Sequence, residues 1–296
     1  MPRHKAILLW GPKNMRKILP FLIGLGVALL LYSIFRWWPF LVLFPWVGFS
    51  VSTAMHLQQT LHGKQRLIGR KIALLMILPA LLIFIPVINN ENFQLEGVVM
   101  IVLVGFFSKG FIHYSVAKIF GPLIWRRGFC GYACWTAAVL EWLPIKNKKS
   151  NVPRAYRNVR FISLLLSIGI PVYLIFVLSY DPWTDYINKT EMKWMFVSNA
   201  VYYALGISLA FVLHDKRAFC KYLCPVALVM TPTSALGALK KRPNPDAVCT
   251  ACGVCNKYCP MGVDVMSFMK KDRPITDTEC ILCSDCSIVC PENKVR

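Results

Sequence analysis

Charged residues, and acidic residues above all, are scarce in this sequence. Asp and Glu number 14 against 34 Lys and Arg, and only 16% of the 296 residues are charged, whereas 56% are hydrophobic. This apolar content exceeds what a soluble domain needs for its core, so the composition indicates a membrane protein. The formal net charge of +20 would suggest a nucleic-acid partner for a soluble protein, but in a membrane protein basic residues first report loop orientation. We therefore expect no nucleic-acid partner.

Cysteine is absent from the first 129 residues, and all twelve cysteines fall into short-spaced groups. A scattered disulfide framework is therefore a poor description of them. A Gly-rich phosphate loop and a Ser-His-Asp or Cys-His constellation are also missing, which excludes a nucleotide site and a hydrolase. The basic N-terminus precedes an apolar run that lacks a small-residue cleavage site, so we expect an uncleaved anchor rather than a signal peptide.

Six apolar segments are long enough to cross a membrane, since about 30 Å of hydrocarbon takes roughly 20 helical residues. They lie at 18–35, 39–57, 72–88, 98–117, 161–180 and 195–213. The first two are separated by Arg36, Trp37 and Trp38, which predicts a tight hairpin with interfacial tryptophans, and a re-entrant pair is the alternative. The sequence thus predicts a transmembrane helical domain over residues 1–239.

The basic residues predict the orientation of this domain. Segments 1–17, 58–71, 118–160 and the chain after 214 hold 30 of the 34 Lys and Arg. Because basic loops stay on the cytoplasmic side, both termini are expected there. We therefore predict a multi-pass protein of a bacterial or archaeal cytoplasmic membrane.

The apolar character ends at Lys240, and two cysteine motifs of identical spacing follow. Each reads Cys-x2-Cys-x2-Cys-x3-Cys-Pro, from Cys249 and from Cys280. In such runs three thiolates of one loop bind one [4Fe-4S] cluster and the fourth cysteine reaches the other cluster. Paired Cys-x2-Cys elements also suit zinc, but this longer spacing does not. We predict a bacterial-type 2[4Fe-4S] ferredoxin-like domain over 240–296, with ligand sets Cys249, Cys252, Cys255, Cys290 and Cys280, Cys283, Cys286, Cys259.

A second repeat lies in the membrane half. Residues 126–135 and 216–225 share two basic residues, a Phe, a Cys, a Tyr and a second Cys in register. If each segment is helical, cysteines four apart share one face, and two pairs together would offer four thiolates to a third iron–sulfur cluster. Redox-active dithiols, a partner-docking motif and simple packing of buried cysteines are the alternatives. The candidate ligands are Cys130, Cys134, Cys220 and Cys224.

From about the third span to the C-terminus, these motifs resemble the membrane polyferredoxins. That family includes the quinol dehydrogenase component NapH of periplasmic nitrate reduction, the MauN proteins and the C-terminal part of the NosR regulators. Only the Cys220-Cys224-Pro225 element has the family's proline, since Trp135 stands at the equivalent position of the first element. Six spans also exceed the four of the shorter members. The resemblance implies electron transfer between a bound quinone and the clusters, with a redox partner or a larger complex.

Polar residues inside spans are candidates for the quinone site because they are costly to bury in a membrane. Lys109 and His113 lie four apart on the fourth span and therefore on one face, with Tyr114 beside them. We take Lys109 and His113 as the tentative catalytic pair. His56 and His214, at the ends of their spans, are expected to be interfacial, and haem ligation by two histidines is the alternative.

Taken together, the residues and the resemblance predict a membrane-bound iron–sulfur protein that moves electrons between the quinone pool and a redox partner. A quinol dehydrogenase component and a wiring subunit of a larger complex are two versions of this hypothesis. The rival hypothesis is a redox-sensing or maturation factor that uses its clusters or dithiols to reduce a metal or thiol in a partner enzyme.

Overall fold

The structure of the protein, a computed structural model, describes residues 12–90, 92–105, 109–147, 152–181 and 190–296. These ranges are helical and contain no β-strand. The helices are α1 Pro12–Phe35, α2 Phe40–Thr60, α3 Ile68–Pro79, α4 Ile85–Asn89, α5 Leu95–Leu103, α6 Lys109–Tyr114, α7 Pro122–Trp125, α8 Gly128–Tyr132, α9 Trp135–Leu140, α10 Val159–Phe176, α11 Thr190–Leu213, α12 Ala218–Tyr222, α13 Val226–Val229, α14 Thr231–Leu236, α15 Val254–Tyr258, α16 Val265–Lys270 and α17 Asp285–Val289. Turns of 3-10 helix precede α3 and α10, and π-helical turns occupy Ala80–Phe84 and Ser115–Phe120.

Five helical stretches in the described residues are long and apolar enough to cross a membrane. They are Lys17–Phe35, Phe40–Thr60, Gly63–Ile88, Ala155–Phe176 and Thr190–Leu213. Each exceeds the roughly 18 residues below which an apolar run is more often a core helix. The expected mainly α, polytopic fold is therefore confirmed.

The first two spans form a hairpin of full-length helices rather than a re-entrant pair. Helix α1 ends at Phe35 and α2 begins at Phe40. A Cβ on Gly24 would collide with the carbonyl of Phe44, and one on Gly48 with the carbonyl of Pro20. Small residues therefore let the two backbones approach closely, as is usual where helices pack inside a membrane.

The fourth expected span, 98–117, is not a continuous helix, so the expected count of six falls to five in the described chain. Helix α5 ends at Leu103, and Gly105 has a φ of +75° that breaks the helix before α6. At the start of α5, Gln94 donates to Asn199 at 2.8 Å. Asn199 lies nine residues into α11, about 14 Å along that helix. Helix α5 thus begins inside the bundle rather than at its edge.

The C-terminal segment packs against one end of the bundle. Helix α17 contacts the Gly63–Leu67 turn, and Arg157 donates to the Met261 carbonyl at 3.0 Å. An isolated bridge between Pro243 and Val295 brings the two ends of this segment together. Arg70, Arg157 and Arg217, from three of the basic segments expected on the cytoplasmic side, lie at this end. The membrane side itself and the 239/240 boundary stay predictions.

Candidate metal centres

Eight cysteines of the C-terminal segment surround two separate cavities. In both cavities one motif contributes its first three cysteines and the other contributes its last. The first is lined by Cys249, Cys252, Cys255 and Cys290, and the second by Cys280, Cys283, Cys286 and Cys259. This grouping agrees with the crossed sets expected from spacing, and ligation by them stays a prediction.

The two cysteine loops have the same backbone conformation. Gly253 and Ser284 follow the second cysteine of each motif, and their φ angles are +72° and +67°. A left-handed φ at a serine costs roughly 1–3 kcal/mol and is kept where the surroundings require it. The loop therefore curls around its cavity in both copies, whether or not a glycine is present.

The donor sets fit iron–sulfur clusters. Backbone N–H groups of Val263 and Lys294 donate to the Sγ atoms of Cys259 and Cys290, both at 3.3 Å, and such donors stabilise thiolates. Across the described ranges, no three His, Cys, Asp or Glu side chains are close enough to share one metal ion. Four thiols around a larger space therefore suit a cubane better than a single ion.

The four membrane-side cysteines also converge on one site. Burial, followed by repulsion from the other thiols of the group, raises the pKa of Cys134 to about 11 and that of Cys224 to about 12. Nη1 of Arg217 donates to the Cys130 carbonyl at 3.0 Å and lies 3.9 Å from the Cys220 Sγ. The guanidinium of Arg217 thus links the two cysteine pairs, which lie at least 86 residues apart in the chain.

The two cysteines of each Cys-x3-Cys pair do not lie on one helix face. The sequence analysis expected a shared face if each segment were helical. Helix α8 ends at Tyr132, and Cys134 has an extended backbone with φ −76° and ψ 118°. Helix α12 likewise ends at Tyr222, before Cys224. In each copy the second cysteine therefore follows a turn, and this turn brings it back toward the first.

The paired basic residues of the first copy of this repeat bind the C-terminal segment, a role that sequence reasoning missed. Arg126 is fully buried and donates to the carbonyls of Ile275 at 2.6 Å, Thr276 at 2.8 Å and Asp277 at 2.9 Å. Arg127 forms an ion pair with Glu279 at 2.8 Å. The sequence analysis used these arginines only to predict loop orientation. In the structure they bind the tail to the bundle.

A second buried ion network joins the same parts. Glu141 accepts from Arg70 at 3.0 Å and from Arg217 at 2.8 Å, and Arg70 also pairs with Asp285 at 3.1 Å. Despite burial, these two guanidinium groups hold the pKa of Glu141 well below its usual range. Each copy of the repeat therefore supplies an arginine to a network between bundle and tail.

The four-cysteine site lies next to the second cavity of the tail. A Cβ on Gly131 would collide with the Ile281 carbonyl, so α8 touches the backbone of that cysteine loop. The Tyr132 hydroxyl donates to the Cys283 carbonyl at 3.3 Å. Cys220 belongs to the same buried cluster as Cys283. Membrane-side and tail cysteines are thus parts of one packed region.

The tentative quinone residues are only partly described. The side chain of Lys109 lies outside the described residues. His113 is 6% exposed and lies between the rings of Phe44 and Phe93, at centroid distances of 5.8 and 6.2 Å. Within the described chain, neither ring nitrogen of His113 has a hydrogen-bond partner. A quinone role for Lys109 and His113 stays a prediction.

The two end-of-span histidines are both exposed. His56 lies in the last turns of α2, and His214 directly follows α11. Their exposure agrees with the interfacial interpretation.

Comparison with known proteins identifies the membrane-side repeat. The family described as "4Fe-4S binding domain" matches residues 116–153 and 200–243. These two stretches contain the two Cys-x3-Cys pairs, one pair in each. Each Cys-x3-Cys pair therefore lies in a stretch that is similar to this 4Fe-4S binding family.

Two curated proteins are similar to the chain. The putative electron transport protein YccM of Escherichia coli is 25% identical over 164 residues, covering 51% of this chain and 46% of that protein. The methylamine utilization ferredoxin-type protein MauN of Methylobacillus flagellatus is 27% identical over 139 residues, covering 45% and 48%. The resemblance to the membrane polyferredoxins is confirmed. The chain spans about half the length of these relatives, and no solved structure matches it.

Proposed function

We propose that this protein is a membrane-bound electron-transfer protein that moves electrons between the quinone pool and a redox partner. The observation that carries the proposal is the packing of two four-cysteine cavities and a further four-cysteine site at one end of an apolar helical bundle. A bound [4Fe-4S] cluster accepts and releases single electrons at a potential that its surroundings set. The chain's own cysteines would hold these clusters.

Three sets of residues would hold clusters. In the tail they are the two crossed sets that line the cavities. The third set is Cys130, Cys134, Cys220 and Cys224, whose convergence and location within the matched 4Fe-4S family segments support it. Buried thiols whose pKa is raised are costly to ionise alone, and binding to iron compensates that cost.

The bundle would contribute the quinone site. His113 is buried between two aromatic rings, and its nitrogens lack hydrogen-bond partners among the described residues. A buried unsatisfied polar group calls for an explanation, and a quinone oxygen is one that it could bind. The electron-transport and ferredoxin-type names of the relatives support redox partners, and the partner's identity stays open.

Iron and acid-labile sulfide per chain test the number of clusters. We expect about twelve irons in anaerobically purified protein, because three [4Fe-4S] clusters carry four each. A Cys130→Ser/Cys220→Ser variant should retain about eight irons and lose one electron paramagnetic resonance (EPR) signal. About eight irons in both proteins would contradict a third cluster and leave dithiol chemistry or docking for these cysteines.

A quinone assay tests the reaction. Protein in lipid nanodiscs is mixed anaerobically with quinol or quinone analogues, and cluster reduction or oxidation is followed by absorbance and EPR. We expect exchange that His113→Ala slows and that the matched control His56→Ala, an exposed histidine, leaves unchanged. Absence of exchange with every analogue in either direction would favour the redox-sensing or maturation hypothesis instead.

A further inference from the structure

Lys118 is a buried cation that lacks a carboxylate partner within the described part of the chain. It lies in the π-helical turn Ser115–Phe120 and is 3% exposed. Its Nζ atom lies 4.2 Å from the ring centroid of Tyr114, 4.4 Å from that of Trp135 and 5.6 Å from that of Phe129. No ion pair of Lys118 occurs among the described residues. Aromatic faces attract an ammonium group but do not neutralise its charge.

Two of the three rings around Lys118 adjoin cysteines of the four-cysteine site. Phe129 precedes Cys130 in the chain, and Trp135 follows Cys134. The ammonium group is therefore held between the neighbours of both cysteines of the first pair. Its charge acts on the thiols of Cys130, Cys134 and Cys224.

Two other buried cations beside this site have carboxylate partners. Arg127 is paired with Glu279 and Arg217 with Glu141, at 2.8 Å each. Glu96 acts on Lys118 electrostatically, but it lies outside ion-pair distance and accepts from the Tyr202 hydroxyl at 3.3 Å. Because a buried charge is costly unless it is compensated, the position of Lys118 calls for an anion beside it.

We propose that Lys118 is the counter-charge of an iron–sulfur cluster held by Cys130, Cys134, Cys220 and Cys224, and that it raises the reduction potential of this cluster. The inference rests on the proposed function, which supplies the cluster. Reduction adds one negative charge to the site, and a nearby cation in a low-dielectric surrounding stabilises the reduced state more than the oxidised one. Lys118 acts through the cluster and is not itself a ligand.

A redox titration followed by EPR tests this role on the purified full chain. For Lys118→Met we expect the equilibrium constant for reduction of the membrane-side cluster to fall at least tenfold, or 59 mV for a one-electron couple. Lys118→Arg should stay close to the wild type because it keeps the charge. Tyr114→Phe is the matched control, since it alters the same surroundings without removing a charge.

Each outcome separates the two proposals. About eight irons in the wild type would remove the third cluster and overturn both. About twelve irons with an unchanged potential in Lys118→Met would overturn the role of Lys118 alone. Loss of the cluster from Lys118→Met but not from Lys118→Arg would support a required positive charge. If Lys118→Met and Lys118→Arg had the same reduction potential, or lost the cluster equally, Lys118 would have a packing role. Either result would overturn the proposal.

Discussion

Glu279 anchors the C-terminal segment to the bundle, and its replacement by Gln should destabilise the protein strongly. Its carboxylate accepts from Arg127 at 2.8 Å and from Arg160 at 2.7 Å. Burial alone would raise the pKa of Glu279, but hydrogen bonds from Arg160 and the charge of Arg127 lower it to about 2. Glu279→Gln leaves two buried guanidinium groups with one neutral partner.

The magnitude follows from the pKa shift. A fall from the ordinary value of 4.5 to about 2 corresponds to about 3 kcal/mol at 1.36 kcal/mol per unit. Breaking a buried ion pair typically costs about 3–5 kcal/mol. Because the folded pKa is depressed, this stabilisation is present above pH 4.5 and is lost as the pH falls toward 2. At pH 7 the full effect is therefore expected.

Thermal unfolding in detergent, followed by tryptophan fluorescence at pH 7, measures this effect. A loss of about 3 kcal/mol lowers the Tm by roughly 6–12 °C, at the 2–4 °C per kcal/mol typical of larger domains. Glu292→Gln is the matched control, because Glu292 belongs to the same segment and is exposed. A Tm shift no larger than that of the control would refute the anchoring role of Glu279.

Two further tests concern the tail, one its contact with the bundle and the other its cysteine sets. Gly131→Ala should lower stability by about 1–3 kcal/mol, the usual cost of overpacking, because its Cβ would collide with the Ile281 carbonyl; thermal unfolding measures it. Cys259→Ser, Cys280→Ser and their double variant should each lose about four irons, because both cysteines line one cavity; iron and sulfide analysis measures it.

Both tests have matched controls. Gly128→Ala should be tolerated, since a Cβ there would meet Trp125 only at 3.4 Å or more, and an equal loss for both glycines would contradict the close contact at Gly131. The Cys280→Ser/Cys290→Ser double variant removes one cysteine from each cavity and should lose about eight irons. If instead the Cys259/Cys280 pair loses about eight, the ligand sets are not crossed.

Short-range patterns account for two of the predictions made from this sequence. The crossed grouping of cysteines follows from spacings within a dozen residues, and the five long helices follow from hydropathy over about 20 residues. The same reasoning did not predict the broken fourth span. Hydropathy averaged over about 20 residues is insensitive to single residues such as Gln94 and Gly105, which flank helix α5 at its start and its end. The hydrogen bond that holds Gln94 inside the bundle depends on Asn199, 105 residues away.

The buried arginines could not be assigned from sequence for a similar reason. Arg126 and Arg127 follow the rule that basic residues mark cytoplasmic loops, and that rule does not distinguish a solvated charge from a paired one. Their partners lie about 150 residues further along the chain. The one available signal was the recurrence of two basic residues before each Phe-Cys step, because orientation alone requires no fixed register.

One of the positions at which the two copies of the repeat differ lies against the tail. Gly131 follows Cys130, and Lys221 occupies the equivalent position after Cys220. Gly131 leaves room for the Ile281 carbonyl, whereas Lys221 pairs with Asp215 at 2.6 Å, and its Nζ lies 3.8 Å from where a Cβ on Gly262 would be. Ile281 lies within the second cysteine motif of the tail, and Gly262 follows the first. The two copies therefore lie beside different parts of the tail. Duplication accounts for the four thiols, and divergence at this position gives the copies different contacts with the tail.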